Sequence, residues 1–155
     1  MTLRIAAAFA LLAGSSLEAQ TPSSPPALDL STATPIEGNW VYSSAGSTEA
    51  TFVNASAQAQ LTIRCTVATR RVTISKPASG AAPLLNIWTS AQTRNLPSSF
   101  NPATGMLSAD LSAFDPLLDA IAFSRGRFGV SVTAQPTLVV PAWAEIARVI
   151  EDCRV

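Results

Sequence analysis

The sequence predicts an α+β domain: an antiparallel β-sheet or small sandwich, a short helix over about 116–124, and a C-terminal helix over about 142–153 that is disulfide-linked to a central strand. Three observations predict it. Apolar residues alternate at period two through the middle of the chain, and helical spacing takes over only in the last third. The two cysteines, Cys65 and Cys153, each fall on an apolar face, the first at strand period and the second at helix period.

In chain order, the first segment reads as an export signal. Arg4 supplies a short positive region, Ile5 to Ala13 form an apolar run, and small and polar residues lead to an expected cut after Ala19, giving a signal peptide over 1–19. The run is shorter than the roughly 20 apolar residues that span a bilayer. Residues 20–35 are rich in proline, serine and threonine, cannot build a hydrophobic face, and read as a flexible leader. The remaining stretch, 36–155, has the length of a single globular domain.

Strands are expected at Trp40-Val41-Tyr42 and Ala50 to Val53. The clearest runs from Leu61 to Val67, where Leu61, Ile63, Cys65 and Val67 share one face and Thr62, Arg64 and Thr66 the other. A short connection at Ala68-Thr69-Arg70 leads to a partner strand, Arg71 to Ser75, as in a hairpin. Pro77 to Pro83 reads as a loop, followed by a strand at Leu84 to Thr89. Pro97 and Pro102 argue against regular structure over 94–102, and Met106 to Leu111 reads as a short edge strand.

Asp115-Pro116 then marks a helix start, an N-cap carboxylate followed by a proline whose missing N–H costs nothing at the first helical position. Leu117, Leu118, Ile121 and Ala122 supply its apolar stripe, and Gly126 is the expected left-handed stop, with Arg125 and Arg127 at the negative end of the helix dipole. Phe128, Val130 and Val132 alternate as a further strand, and Leu138 to Val140 as a short one. Pro141 is expected to open the last helix, whose buried face would carry Trp143, Ile146, Ala147, Ile150 and Cys153. With both cysteines facing inward in an exported chain, a Cys65–Cys153 bridge is expected, the alternatives being two separately buried thiols and an intermolecular or catalytic thiol.

The chain has 10 basic and 10 acidic residues and no histidine. Zero formal charge argues against general nucleic-acid binding. Without histidine there is no Ser-His or Cys-His arrangement, and two cysteines do not make a structural zinc site. No phosphate-binding glycine loop is present, so no cofactor, metal or catalytic residue is expected. The carboxylates Asp110, Asp115, Asp119, Glu145, Glu151 and Asp152 offer pairs of the kind a glycan hydrolase needs. Each also has a structural role available, such as Asp115 as a cap or Asp152 opposite Arg148 at i, i+4 spacing.

Charge order is more informative than composition. From Ala50 to Ala109 the charged residues are Arg64, Arg70, Arg71, Lys76 and Arg94, all basic. Arg64, Arg71 and Lys76 are candidates for one outward face of the hairpin, a basic strip suited to an anionic glycan, a lipid head group or an acidic protein surface. Arg70 and Trp88 complete the candidate binding surface, and Trp40 and Trp143 are further aromatic candidates, each of which has burial in the core as its alternative.

The early tryptophan strand, Leu61-Thr62-Ile63-Arg64-Cys65, and a closing helix with Trp143, Ile146 and Ile150 ending at Cys153 resemble the layout of VasI-like periplasmic proteins associated with type VI secretion. The Asp115-Pro116-Leu117-Leu118-Asp119 and Phe123-Ser124-Arg125-Gly126-Arg127-Phe128 segments are similar to small secreted proteins of alphaproteobacteria. The likeness covers 38–75 and 114–154. It implies a disulfide-linked, β-rich domain of unassigned activity and supplies no catalytic residues. The function expected is that of a non-enzymatic periplasmic or secreted binding or accessory protein, whose partner is an anionic envelope component or an envelope protein. The alternative is an inhibitor of an envelope hydrolase such as lysozyme, with 77–83 or 94–102 as its contact loop, and a hydrolase using paired carboxylates ranks third.

Overall fold

The computed structural model describes residues 28–133 and 135–155. The expected signal peptide, 1–19, and the leader as far as residue 27 lie outside the described residues. Residues 28–35 carry a hydrogen-bonded turn, in which Asp29 Oδ1 accepts from the Ser31 amide and hydroxyl. Ala33 O accepts from the Arg127 guanidinium.

Among the described residues the strands form two antiparallel sheets. The larger contains β1 (Gly38–Ser43), β2 (Glu49–Asn54), β3 (Ala59–Thr66), β4 (Arg71–Pro77), β7 (Ser99–Asn101) and β8 (Met106–Ser112), in the order β1-β2-β3-β4-β8-β7. The smaller contains β5 (Leu84–Trp88), β6 (Thr93–Pro97), β9 (Arg127–Val132) and β10 (Leu138–Pro141), in the order β10-β9-β5-β6. Two short helices, α1 (Pro116–Ala122) and α2 (Ala144–Asp152), complete the domain.

Both sheets and both helices contribute to one core. Inward positions on the larger sheet are filled by Phe52, Leu61, Ile63, Val72, Ile74 and Leu107, all fully buried. Trp40 of β1 stacks on Phe128 of β9, and its indole donates to Pro141 O at 2.8 Å, so the core contains both an aromatic contact and a satisfied N–H between sheets. β5 packs against β8, whereas α2 packs against β1, β2 and β3.

The disulfide joins Cys65 of β3 to Cys153 at the C-cap of α2, with Cα atoms 5.5 Å apart. Two further contacts fasten the same helix region. Tyr42 of β1 donates to Asp152 Oδ2 at 2.6 Å while Arg148 lies over the Tyr42 ring, so Asp152 and Arg148 meet around a tyrosine rather than as the expected i, i+4 pair. The hydrogen bond to Asp152 raises the Tyr42 pKa, with burial and the Asp152 charge adding to it. Arg154 donates to Ala113 O and to Asp119, tying the chain end to α1.

The helix start at Asp115 is as expected: its carboxylate accepts from the Leu117 amide, and Pro116 occupies the first turn. Several boundaries differ. α1 ends at Phe123, so Gly126 (φ +75°) is not its stop but makes the turn into β9. Pro141 ends β10 rather than opening the last helix. An edge strand tolerates proline because the missing N–H removes no ladder bond, and β10 is an edge. The same rule explains 94–102, which is strand-forming: Pro97 ends the edge strand β6. Ser98 is the corner at which the chain passes from the smaller sheet to the larger, held by hydrogen bonds to Pro83 O and Ala82 O. β8 is an interior strand, not an edge, because the three residues of β7 cover it. Val67 leaves β3 for a 3₁₀ turn, Val67–Thr69, and is exposed.

Asp115 also pairs with Arg94 of β6, so one carboxylate both caps α1 and joins it to the smaller sheet. Burial opposes its ionisation, but hydrogen bonds from Arg94 and the Leu117 amide, together with the Arg94 charge, outweigh that and hold its pKa below 3.8. A depressed folded-state pKa contributes stability that is complete above the unfolded value and lost as pH falls through the folded one. Asp115→Ala is therefore expected to cost about 1 kcal/mol at neutral pH, with the deficit shrinking below the ordinary carboxylate range. Urea unfolding of both proteins across that range checks it, and a deficit independent of pH would contradict it.

Candidate functional site

Because side chains alternate across a strand, the positions between the core residues of the larger sheet all point to its other side. Register aligns them in rows. Val41, Thr51, Thr62, Ser75, Ser108 and Ser99 stand opposite one another across six strands, a row of five hydroxyls ending in a valine. Thr51 and Thr62 hydroxyls lie 3.2 Å apart, and those of Ser75 and Ser108 2.8 Å apart. The next row reads Ser43, Glu49, Arg64, Thr73 and Asp110. There Arg64 pairs with Glu49 at 2.7 Å, and the Thr73 hydroxyl donates to Asp110. Each hydroxyl in such a pair keeps lone pairs, and the solvent side of the face stays open for bonding to a ligand.

Two shallow depressions lie on this face. One, of about 390 Å³, is lined by Thr62, Arg64, Thr73, Ser75, Asn101 and Ser108 among others. The second, of about 350 Å³, lies between Arg71, Asp110 and the Pro97-Ser98-Ser99 corner.

The sequence-derived candidates separate on this geometry. Arg64 and Arg71 both lie exposed on the outer face, but the charge of Arg64 is answered by Glu49. Arg70 is exposed in the hairpin turn, with left-handed backbone (φ 49°, ψ 47°). Neither Arg70 nor Arg71 has a carboxylate partner among the described residues. Lys76 stands apart. It follows outward-facing Ser75, pairs with buried Leu107, and reaches toward Gln135 and Pro77 O, where burial pushes its pKa down. Trp88 belongs to the smaller sheet, where its indole donates to Ser131 Oγ at 3.1 Å. Trp40 is a core residue. Trp143, expected in the buried stripe of the last helix, is 44% exposed because it is the N-cap, ahead of the first helical turn.

The carboxylates are drawn to different partners. Asp115 serves Arg94, Asp152 serves Tyr42, and Asp110 serves Thr73. Asp119 and Glu151 approach a common guanidinium, that of Arg154. Among the described residues no group of three histidine, cysteine, aspartate or glutamate side chains comes together as a metal site would require.

No family model, curated protein or solved structure matches this chain. No helix among the described residues is long and apolar enough to cross a membrane, and the disulfide is compatible with an extracellular or periplasmic protein.

A non-glycine residue in the left-handed region carries a backbone cost of about 1 kcal/mol that glycine avoids. Arg70→Gly is therefore expected to raise the thermal unfolding midpoint. A lowered midpoint would mean that the Arg70 side chain holds the turn by contacts that outweigh this cost.

Proposed function

We propose that this chain is a non-enzymatic binding or accessory protein of the periplasm or extracellular space. Its contact surface is the outer face of the larger sheet, and its partner an anionic envelope component. The observation that carries this is the pairing of in-register hydroxyl rows with two arginines, Arg70 and Arg71, that lack carboxylate partners among the described residues. Hydroxyls offer donors and acceptors to a polyhydroxylated or phosphorylated surface, and the guanidiniums supply attraction and bidentate contacts. Hydrogen-bonded strands hold the hydroxyl rows in place before contact, so those groups lose little conformational freedom on binding.

Such a surface binds through exposed charge, so capture should weaken as salt rises. Charge reversal at Arg70 and Arg71 together is expected to reduce capture of the partner from an envelope extract by tenfold or more, about 1.4 kcal/mol or greater. Arg64→Ala should have the smaller effect because Glu49 already neutralises it. Far-ultraviolet circular dichroism controls for folding, and undiminished capture by the folded double variant would overturn the assignment.

A second reading, inhibition of an envelope hydrolase such as lysozyme, draws on Ser98, which ties the 94–102 corner to the 78–83 loop through Pro83 O and Ala82 O. A loop held in one conformation loses little freedom on entering a cleft. A lysozyme-inhibition assay separates the two: activity lost on shortening 79–81 favours the inhibitor, and absence of inhibition by the intact protein excludes it for that enzyme.

A further inference from the structure

A cavity of about 320 Å³ lies on the outer side of the smaller sheet, away from the arginine-bearing face described above, with Trp88, Arg125, Arg127 and Asp29 among its lining residues. We propose that it binds an acidic sugar, with the pyranose ring against the Trp88 indole and the carboxylate held by Arg125 and Arg127. Its volume is within the range of about 300–1,000 Å³ for small-molecule sites.

The chemistry follows from what each group has left to offer. The Trp88 N–H is already committed to Ser131 Oγ, so the indole presents apolar surface, the kind against which the C–H face of a sugar packs. Arg127 gives one N–H to Ala33 O; a guanidinium has five, and the others have no partner among the described residues. Arg125 is exposed and has no carboxylate partner among the described residues. Asp29 is the one acidic lining residue, and its Oδ1 accepts twice from Ser31. Two cations against one internally satisfied anion favour a ligand of single negative charge. A neutral sugar would leave that charge unanswered, and a bare anion would leave Trp88 uncovered.

The site is also held in shape. Ser90 N donates to Ser124 Oγ at 3.0 Å, Arg125 N donates to Ser90 Oγ at 3.0 Å, and Ser124 Oγ donates to Arg127 O. These bonds lock the loop after β5 to the turn before β9, where left-handed Gly126 sets the two arginines on either side of it. Thr89, Ser124 and Ser131, the three buried polar residues of the described chain, all belong to this region. Register supplies the rest, because Trp88 lies opposite Gly129, whose missing side chain leaves room for the Leu28 methyl, 2.9 Å from where a Cβ would stand.

Titration of the ¹⁵N-labelled full mature chain with glucuronate, glucose and inorganic phosphate, followed at the indole N–H resonances, tests this. Trp88→Phe assigns the Trp88 signal. Glucuronate is expected to shift that signal saturably in the millimolar range, with glucose and phosphate each binding at least about tenfold more weakly. Arg125→Glu, at an exposed position, should weaken glucuronate by tenfold or more, and Arg125→Lys should restore part of it. Charge reversal at Arg70 and Arg71 should leave it unchanged, so this site and the sheet-face surface fail independently. No shift with glucuronate, equal binding of glucose or phosphate, or indifference to Arg125→Glu would each overturn the proposal.

Discussion

The cross-link between Cys65 and Cys153 is the constraint on which the arrangement depends. The larger sheet has an apolar inner side that its smaller partner does not cover alone. β5 reaches β8, but β1, β2 and β3 are covered by α2. That helix has only nine residues, too few to be stable in isolation. Its stability must come from the face it buries, Ile146, Val149, Ile150 and Cys153, and from the bond at its C-cap. Closing a loop between residues 88 apart in sequence contributes about 4.5 kcal/mol in the chain-entropy model. For a small domain whose net stability is of order 5–15 kcal/mol, that is a large share.

One consequence concerns the opposite face. Because α2 and the smaller sheet take the inner side of β1 to β4 and β8, the outward residues of those strands are free of packing duties. In the two rows they are threonine, serine, arginine, glutamate and aspartate, with Val41 at one end, and they line up because antiparallel register is strict wherever one face is buried. The same alternation that places Cys65 inward places Arg64 and Thr66 outward. Core and proposed contact surface are thus two readings of one pattern. The cavity beside Trp88 has a different origin, since it depends on β5 pairing with β9, and its walls come from stretches far apart in the chain.

Much of this was legible in the sequence where a local rule applied without competition. Alternation located β2 to β4 and β9, the Asp115-Pro116 cap located α1, and matched periodicities paired the cysteines. Legibility failed where neighbours in space decide. Pro97 reads as a breaker and Pro141 as a helix start because nothing local says that β6 and β10 are edges, and β8 reads as an edge because β7 shows only Phe100 as an apolar residue. Trp143 fits the helical stripe by count, yet the helix begins one residue later. Lys76 is a different kind of miss: counting by two from Arg71 puts it on the inner side, so the signal was present. The hydroxyl rows had a partial signal in the alternating threonines and serines, but which of them stand opposite one another is a matter of register. Arg125 and Arg127 could not be joined to Trp88 without knowing that Trp88 lies across from Gly129.

Equilibrium urea unfolding of the oxidised protein, with and without a thiol reductant, tests the central constraint most directly. If the staple holds α2 on the sheet, reduction should remove about 4.5 kcal/mol of stability and move the midpoint sharply to lower urea. An unchanged midpoint would show that α2 holds its place without the bond, and would contradict the dependence of the fold on Cys65–Cys153.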